Sequence, residues 1–415
     1  MGLFSNIQGA ASAVTRGKRP SIDQPGGPGS GPADGPPPPG EDEETSVLDQ
    51  EQGNIILAMI SQLRPGMDLQ KVSFPTFVLE PRSMLERITD FMSHPELVFG
   101  AENIPEPEER FVQVLSYYLS GWHIKPKGVK KPYNPVLGEI FRCRYEYPDG
   151  TKGFYIAEQV SHHPPISAYF YISPHNKVRI AGELRPKSRF LGNSVATMME
   201  GENRVLLMGR PDDGEYVLGL PNMFARGILF GTMILELGDT TNCKNEATGM
   251  SCAVEFKTKG WMGGQYNLMA GKIKKNGTTE IGSIDGRWSH QLDYKDLRNG
   301  KQRVLFNASQ QTKSMVQKKV APENEQEPNE SRRLWSKLTA AIANKDMEAA
   351  QAAKSEVEES QRALAREREA KGIVHKQRFF ELRNGLWQAK IEMLEDPDEM
   401  VAAVEKWMWA PPPKD

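Results

Sequence analysis

An α+β fold is predicted, built on a large, nearly closed antiparallel β-barrel with helices before and after it in the chain. Two observations carry this. Between Leu137 and about Ala308 the sequence breaks into about a dozen short strand-forming runs, separated by turn signals such as Asp149-Gly150 and Asn276-Gly277. On either side the apolar period lengthens to that of helices, over 83–94, 107–122, 330–343 and 347–371. Sequential strands with tight turns make antiparallel meanders, and more than about eight strands leave a lumen that side chains alone do not fill. By pattern alone two packed sheets are also allowed.

Composition limits function before any motif does. The 415 residues carry 52 Lys and Arg against 54 Asp and Glu, so there is no general nucleic-acid footprint and any basic site must be local. Cys143, Cys243 and Cys252 show no CxxC spacing, which predicts no disulfide framework and a reducing, cytoplasmic setting. No apolar run approaches the roughly 18 residues of a spanning helix, and the amino end lacks the shape of a signal peptide. A peripheral visit to a membrane surface is still allowed.

Residues 1–45 are expected to form a Pro/Gly-rich tail without a core, closing on the acidic run Glu41-Asp42-Glu43-Glu44. Within it Leu3, Phe4, Ile7, Ala10, Ala11 and Val14 fall near one helical stripe, either a weak membrane-surface helix or simply part of the tail. Order is expected from Thr45 or Ser46, a possible cap, and 46–74 form the next unit. There Val47, Leu48, Ile55, Ile56, Met59, Ile60 and Leu63 make a pattern too apolar for a helix that covers nothing. The main domain is expected over 75–395, with helices in 83–122, the barrel in 137–308 and carboxy-terminal helices in 330–395. The segments 83–94 and 107–122 turn Met84, Leu85, Ile88, Phe91 and Phe111, Val114, Leu115, Tyr118 to one face each, which reads as packing. The segment 330–343 carries the stripe Leu334, Trp335, Leu338 and Ile342, whereas 347–371 is mostly charge and alanine with no wide apolar face. Residues 396–415 are expected as a tail.

Three segments carry chemistry. Glu158-Gln159-Val160-Ser161-His162-His163-Pro164-Pro165 ends one strand and opens the next, where prolines are tolerated. Two adjacent imidazoles at a rim can gain protons together when an anion arrives. A metal is disfavoured, because strand neighbours point to opposite faces and no Cys or carboxylate cluster accompanies the pair. Packing alone is the bland alternative. In Lys130-Lys131-Pro132-Tyr133-Asn134-Pro135-Val136-Leu137-Gly138-Glu139, two prolines stiffen a turn that presents Lys131 and Asn134, a cation and an amide suited to a phosphorylated group. Lys354, Glu358 and Arg362 recur at i, i+4 and i+8 on one helix face, which is either an anion receptor or an ordinary salt-bridged surface.

Together EQVSHHPP and KPYNPVLGE resemble the signatures of the oxysterol-binding-protein-related family of lipid-transfer proteins, over about Pro75 to Arg383 and in its short fungal form. The resemblance implies a barrel around a central lipid tunnel, with 46–74 as an amino-terminal lid. It implies that Lys131, Asn134, His162, His163, Lys354, Glu358 and Arg362 surround the head group of phosphatidylinositol 4-phosphate. A second lipid would lie near Phe74, Thr76 and Ser188, beneath the lid residues Ile56, Ile60 and Leu63. The family divides between sterol and phosphatidylserine carriers. The stretches 75–83, 121–126 and 183–190 look like the phosphatidylserine branch, in which Thr76, Asn134 and Ser188 would meet a serine head group. Phe74 departs from it, standing where a smaller aliphatic residue is expected.

The expected function is therefore non-vesicular lipid transfer, exchanging phosphatidylserine for phosphatidylinositol 4-phosphate, with a sterol exchanger or a non-transferring lipid sensor as alternatives. Two acyl chains of roughly sixteen carbons, at about 0.8 kcal/mol per methylene, need about 25 kcal/mol of apolar shelter to leave a bilayer, and a closed tunnel supplies that. Expected partners are these lipids and membrane surfaces, by resemblance at contacts between endoplasmic reticulum and plasma membrane, with no nucleic acid. No cofactor, metal or catalytic residue is expected. No GxSxG elbow, Walker loop, HExxH helix or dinucleotide fingerprint occurs, and Ser161 beside His162 is poorly placed as nucleophile and base.

Overall fold

The computed structural model describes residues 46–69, 74–228, 232–260 and 263–411. The amino-terminal stripe and the acidic run lie outside the described residues. The strands are β1 (Ser46–Val47), β2 (Leu79–Ser83), β3 (Lys131–Tyr133), β4 (Ile140–Glu146), β5 (Lys152–His162), β6 (Pro165–Ser173), β7 (Val178–Phe190), β8 (Val195–Leu207), β9 (Glu215–Gly219), β10 (Asn222–Arg226), β11 (Thr232–Asn245), β12 (Met250–Lys257), β13 (Leu268–Lys275), β14 (Thr279–Arg287), β15 (Gln291–Asp296) and β16 (Gln302–Asn307). A carboxy-terminal hairpin follows, β17 (Phe380–Arg383) and β18 (Leu386–Ala389). The helices are α1 (Gln50–Ile60), α2 (Met84–Arg87), α3 (Pro107–Ser120), α4 (Ala308–Ser314), α5 (Ser331–Leu334), α6 (Ser336–Ala343), α7 (Met347–Ala370) and α8 (Pro397–Met408).

From β4 to β16 the strands form one antiparallel meander, and β9 and β10 share a single position in it. β9 pairs with one end of β8 and β11, and β10 pairs with the other. Leu220-Pro221 separates the two, as expected where a ladder donor is missing. The edges β4 and β16 are not paired with each other among the described residues, so hydrogen bonds between them do not close the barrel. The open edge of β4 is covered by 319–330: Arg144 donates its N–H to the Lys319 carbonyl and Ile140 to that of Asn329, both at 3.0 Å. The expected strands 195–199 and 204–208 are one strand, continuous through Gly201. There φ is +128° and a Cβ would strike the Glu183 carbonyl. β10 and β15 were hidden by their polar residues; in β15 the buried positions are Leu292, Tyr294 and the charged Asp296.

The wall has two kinds of strand. β5 and β6 are covered on both faces, which explains apolar runs such as Phe154-Tyr155-Ile156-Ala157. β12 alternates buried and exposed positions along its length and faces solvent outside. The expected helices flank the sheet, and one of them packs on its inner face. Phe111, Val114, Leu115 and Tyr118 of α3 share one buried cluster with residues of strands β4 to β16, so α3 fills part of the barrel instead of lying beside it. Its sequence permits this because Arg110–Ser120 is buried nearly all round, save Gln113. The one cation there, Arg110, is held bidentately by Asp213 at 2.7 Å.

Other expectations shift at their boundaries. The helix expected from Ser83 to His94 is α-helical only over α2 and tightens to 3₁₀ geometry over Ile88–Met92. The segment 330–343 breaks at Trp335, and 396–415 is not simply a tail. α8 starts on an Asp396 cap and buries Met400, Val404 and Met408 against Phe154, Phe170 and Phe379 on the outer wall. Full burial of such a side chain is worth about 1.5–3 kcal/mol. Near the amino end, Ser46 pairs with Met233 in β1 and does not cap a helix; the cap of α1 is Asp49, whose carboxylate accepts the Gln52 N–H at 2.8 Å. Ile55, expected inward, is exposed.

Candidate functional site

The β5–β6 hairpin presents the histidines. His162 and Pro165 are paired residues, and His163-Pro164, joined by a cis peptide bond, form the two-residue turn between them. His163 has left the strand, so the rule that neighbours point apart does not hold for this pair. Their rings meet edge to face with centroids 4.5 Å apart. Burial first, and the His163 ring second, hold the His162 imidazole below its ordinary pKa, while Glu358 acts the other way.

The second segment is fixed by a parallel pairing of β2 with β3, which sets Lys131 opposite Leu79. The two adjacent lysines divide. Lys130 donates its ammonium to the Phe77 carbonyl at 2.7 Å and so fastens the chain around Thr76 to β3. Lys131 stands 4.8 Å over the Phe74 ring. It is exposed to solvent yet closely surrounded by protein atoms, as a side chain in an open recess is. Burial, then Lys354, push its pKa down to about 8, with Glu358 opposing.

α7 supplies the third segment. Its contact stripe is narrow, Ala350, Ala353, Val357 and Gln361 at spacings of three and four, and the small alanines let the helix approach Leu79 and Tyr133 closely. Thr76 donates its hydroxyl to the Met347 sulfur at 3.4 Å near the first turn. Lys354 and Arg362 reach Glu358 at 3.4 and 3.3 Å. The structure thus brings Lys131, His162, His163, Lys354 and Glu358 together, with Arg362 joined through Glu358. Asn134 is exposed in the loop after β3.

The remaining expected residues form a second group. Ile56 and Ile60 are buried with Phe190, Ile228 and Met233, and Leu63 and Phe74 pack on that cluster. Phe74 links the groups, with its ring in the lid cluster and under Lys131. Ser188 shares strand parity with Leu184 and Phe190, faces inward and lies 2.9 Å from the Thr197 hydroxyl.

Two carboxylates escaped the sequence reading. Glu139 is fully buried and accepts from the Ser83 and Ser331 hydroxyls, the Trp335 indole N–H and the Val136 N–H, tying the lysine loop to α5 and α6. Glu158 accepts the N–H groups of Arg378 and Phe379, both at 2.8 Å, and ties the histidine hairpin to the chain beyond α7. Burial, the largest influence, raises the pKa of both against the pull of these hydrogen bonds. The available signal was a charge inside an apolar strand run, Ile156-Ala157-Glu158 and Gly138-Glu139-Ile140.

A nearly closed barrel, an apolar covering helix and a cationic rim are the parts of a lipid carrier's binding domain. The oxysterol-binding protein family model matches residues 58–406, and the chain belongs to that family. It is 45% identical over 354 residues to "Oxysterol-binding protein homolog C23B6.01c" of Schizosaccharomyces pombe, covering 82% of this chain and 73% of that protein. It is 44% identical over 335 residues to "Oxysterol-binding protein homolog 7" of Saccharomyces cerevisiae, covering 79% and 75%. The fold matches the crystal structure of the Osh1 ORD domain in complex with cholesterol, with a TM-score of 0.69 and 23% identity over 88% of this chain and 93% of that one. It also matches the Saccharomyces cerevisiae Osh3 ORD in complex with PI(4)P, with a TM-score of 0.64 and 17% identity over 88% and 96%. No helix among the described residues is long and apolar enough to cross a membrane.

Proposed function

We propose that this protein carries one lipid at a time between membranes, exchanging phosphatidylserine for phosphatidylinositol 4-phosphate. Lys131, Asn134, His162, His163, Lys354, Glu358 and Arg362 surround the phosphorylated head group. The observation that carries this is the convergence of basic groups from three distant segments at one rim. Two of them, Lys131 and His162, are held below their ordinary pKa by their surroundings. An arriving phosphate monoester reverses that bias, because its charge favours the protonated forms, and each charge-assisted contact is then worth about 1.5–3 kcal/mol. The lid cluster and the inward wall shelter the acyl chains. Thr76 and Ser188 supply hydroxyls for a serine head group, and the working place is a contact between endoplasmic reticulum and plasma membrane.

The test uses two vesicle populations, with labelled phosphatidylserine on the donor and phosphatidylinositol 4-phosphate on the acceptor. Net movement of label, accelerated by the acceptor's phosphoinositide, is the expected result; binding without transfer would leave only the sensor reading. Relatives of the same fold in complex with cholesterol and ergosterol favour a second reading, in which the counter-lipid is a sterol.

A further inference from the structure

The carboxy-terminal end of α7 and the loop after it make a surface that the cargo site does not use. Leu364, Ile373 and Val374 are 49%, 55% and 82% exposed. The helix end holds them there. Gly372 takes a φ of +64°, and Ile373 donates its N–H to the Arg368 carbonyl at 2.9 Å, as in a Schellman turn. In such a turn the residue at the place of Ile373 usually packs on an apolar residue of the last helical turn. Here that turn offers Glu367 and Arg368, so the stiff backbone carries Ile373 and Val374 outward. Around them stand four basic residues outside the cargo site, Arg366, Arg368, Lys371 and Lys376, against Glu367 and Glu369. Glu367 and Lys371 pair at 2.6 Å and offset each other, so the basic excess stands on Arg366, Arg368 and Lys376 against Glu369.

The loop is fastened to the rim. The His375 ring lies 2.9 Å from where a Cβ on Gly138 would stand, inside the lysine motif. Gln377 donates to the Val160 carbonyl at 3.0 Å, two residues before His162. A body that met this tip would therefore lie beside the cargo site.

We infer that the tip is a membrane-docking element for anionic bilayers. Ile373 and Val374 enter the interfacial layer while the basic residues around them meet lipid head groups, which sets the rim at the bilayer surface. The inference rests on the proposed function, because cargo must come from that surface, but the tip binds the bilayer and not the cargo.

The full chain is floated with phosphatidylcholine vesicles, with and without about 30 mol% phosphatidylserine, a composition that gives the bilayer a negative surface potential. Wild type should bind the anionic vesicles more tightly than the neutral ones. Ile373→Asn/Val374→Asn should weaken anionic-vesicle binding about tenfold or more, because two apolar side chains no longer insert. Lys371→Gln/Lys376→Gln should weaken it about fivefold per lysine. In solution, binding of dioctanoyl phosphatidylinositol 4-phosphate and the melting temperature should match wild type for both variants, since all four side chains are exposed. Vesicle binding by Ile373→Asn/Val374→Asn at the wild-type level overturns the inference. Failure of wild type to bind the short-chain lipid overturns the proposed function instead, and leaves the vesicle comparison to decide on the tip.

Discussion

Lys131 and His162 show what the site costs the folded protein. Against an ordinary lysine value near 10.4, the Lys131 pKa of about 8 means that between these pH values the unfolded chain holds a proton the folded chain has lost. Stability therefore rises with pH across that window, and below it the folded protein carries a charge that its surroundings disfavour. Lys131→Met should raise the melting temperature at pH 7 by about 1–2 °C, a modest shift for a domain of this size. The same change should abolish binding of short-chain phosphatidylinositol 4-phosphate. A fall in melting temperature would refute the account of Lys131. For His162 the lowered pKa leaves the ring neutral near pH 7, so head-group binding should take up protons and tighten as pH falls toward 6. Calorimetry in two buffers of different ionisation enthalpy reads that uptake directly. His162→Ala/His163→Ala should remove it, and with it at least about a hundredfold in affinity from two charge-assisted contacts, while the second lipid still binds. These residues were legible because proline and paired imidazoles are unusual at a strand end. The division of labour between Lys130 and Lys131 was not legible, since it depends on which ammonium reaches the Phe77 carbonyl across a parallel strand pair.

At the scale of elements, two buried carboxylates and a stripe of alanines hold three segments in register. Removing Glu139 would leave two hydroxyls, an indole N–H and a backbone N–H to find other partners in a dry place. Glu139→Ala is expected to cost about 3 kcal/mol or more in urea unfolding, and a loss below about 1 kcal/mol would show that the hub is dispensable. The alanine stripe makes a different prediction. Ala353→Leu forces extra volume between α7 and Tyr133, costing about 1–3 kcal/mol and lifting Lys354 away from Lys131. Its check is the titration of Lys131, which should move back up once Lys354 retreats. By pattern alone α7 reads as a charged helix with no docking face, and only the family resemblance placed Lys354, Glu358 and Arg362 beside Lys131. Alanine contributes little apolar signal, yet its small size is what permits the close contact. The opposite problem hid α8, whose three buried residues lie in a short helix that reads as a tail until the outer wall is in view.

For the whole molecule, the pattern of short strands and tight turns was enough to foresee a large antiparallel barrel. It did not foresee α3 within it, because an amphipathic period looks alike whether a helix packs on a wall or inside one. In the proposed reading the groups that meet a second lipid's polar end are Thr76, Asn134 and Ser188, the last lying 2.9 Å from the Thr197 hydroxyl. Several hydroxyls and an amide suit a head group carrying an amine, a carboxylate and a phosphate diester, whereas a sterol offers one hydroxyl and would leave most of them unmatched. The Thr76 hydroxyl is spent on a thioether, a weak acceptor that a carboxylate readily displaces. Thr76→Ala/Ser188→Ala should therefore slow phosphatidylserine transfer about five- to hundredfold, the range for two lost hydrogen bonds, and leave extraction of phosphatidylinositol 4-phosphate within about twofold. The decisive vesicles carry labelled phosphatidylserine and labelled sterol together, with phosphatidylinositol 4-phosphate on the acceptor. Movement of sterol with phosphatidylserine left behind would overturn the choice of counter-lipid, and the family assignment would stand, since it rests on the matched residues 58–406 and not on the cargo.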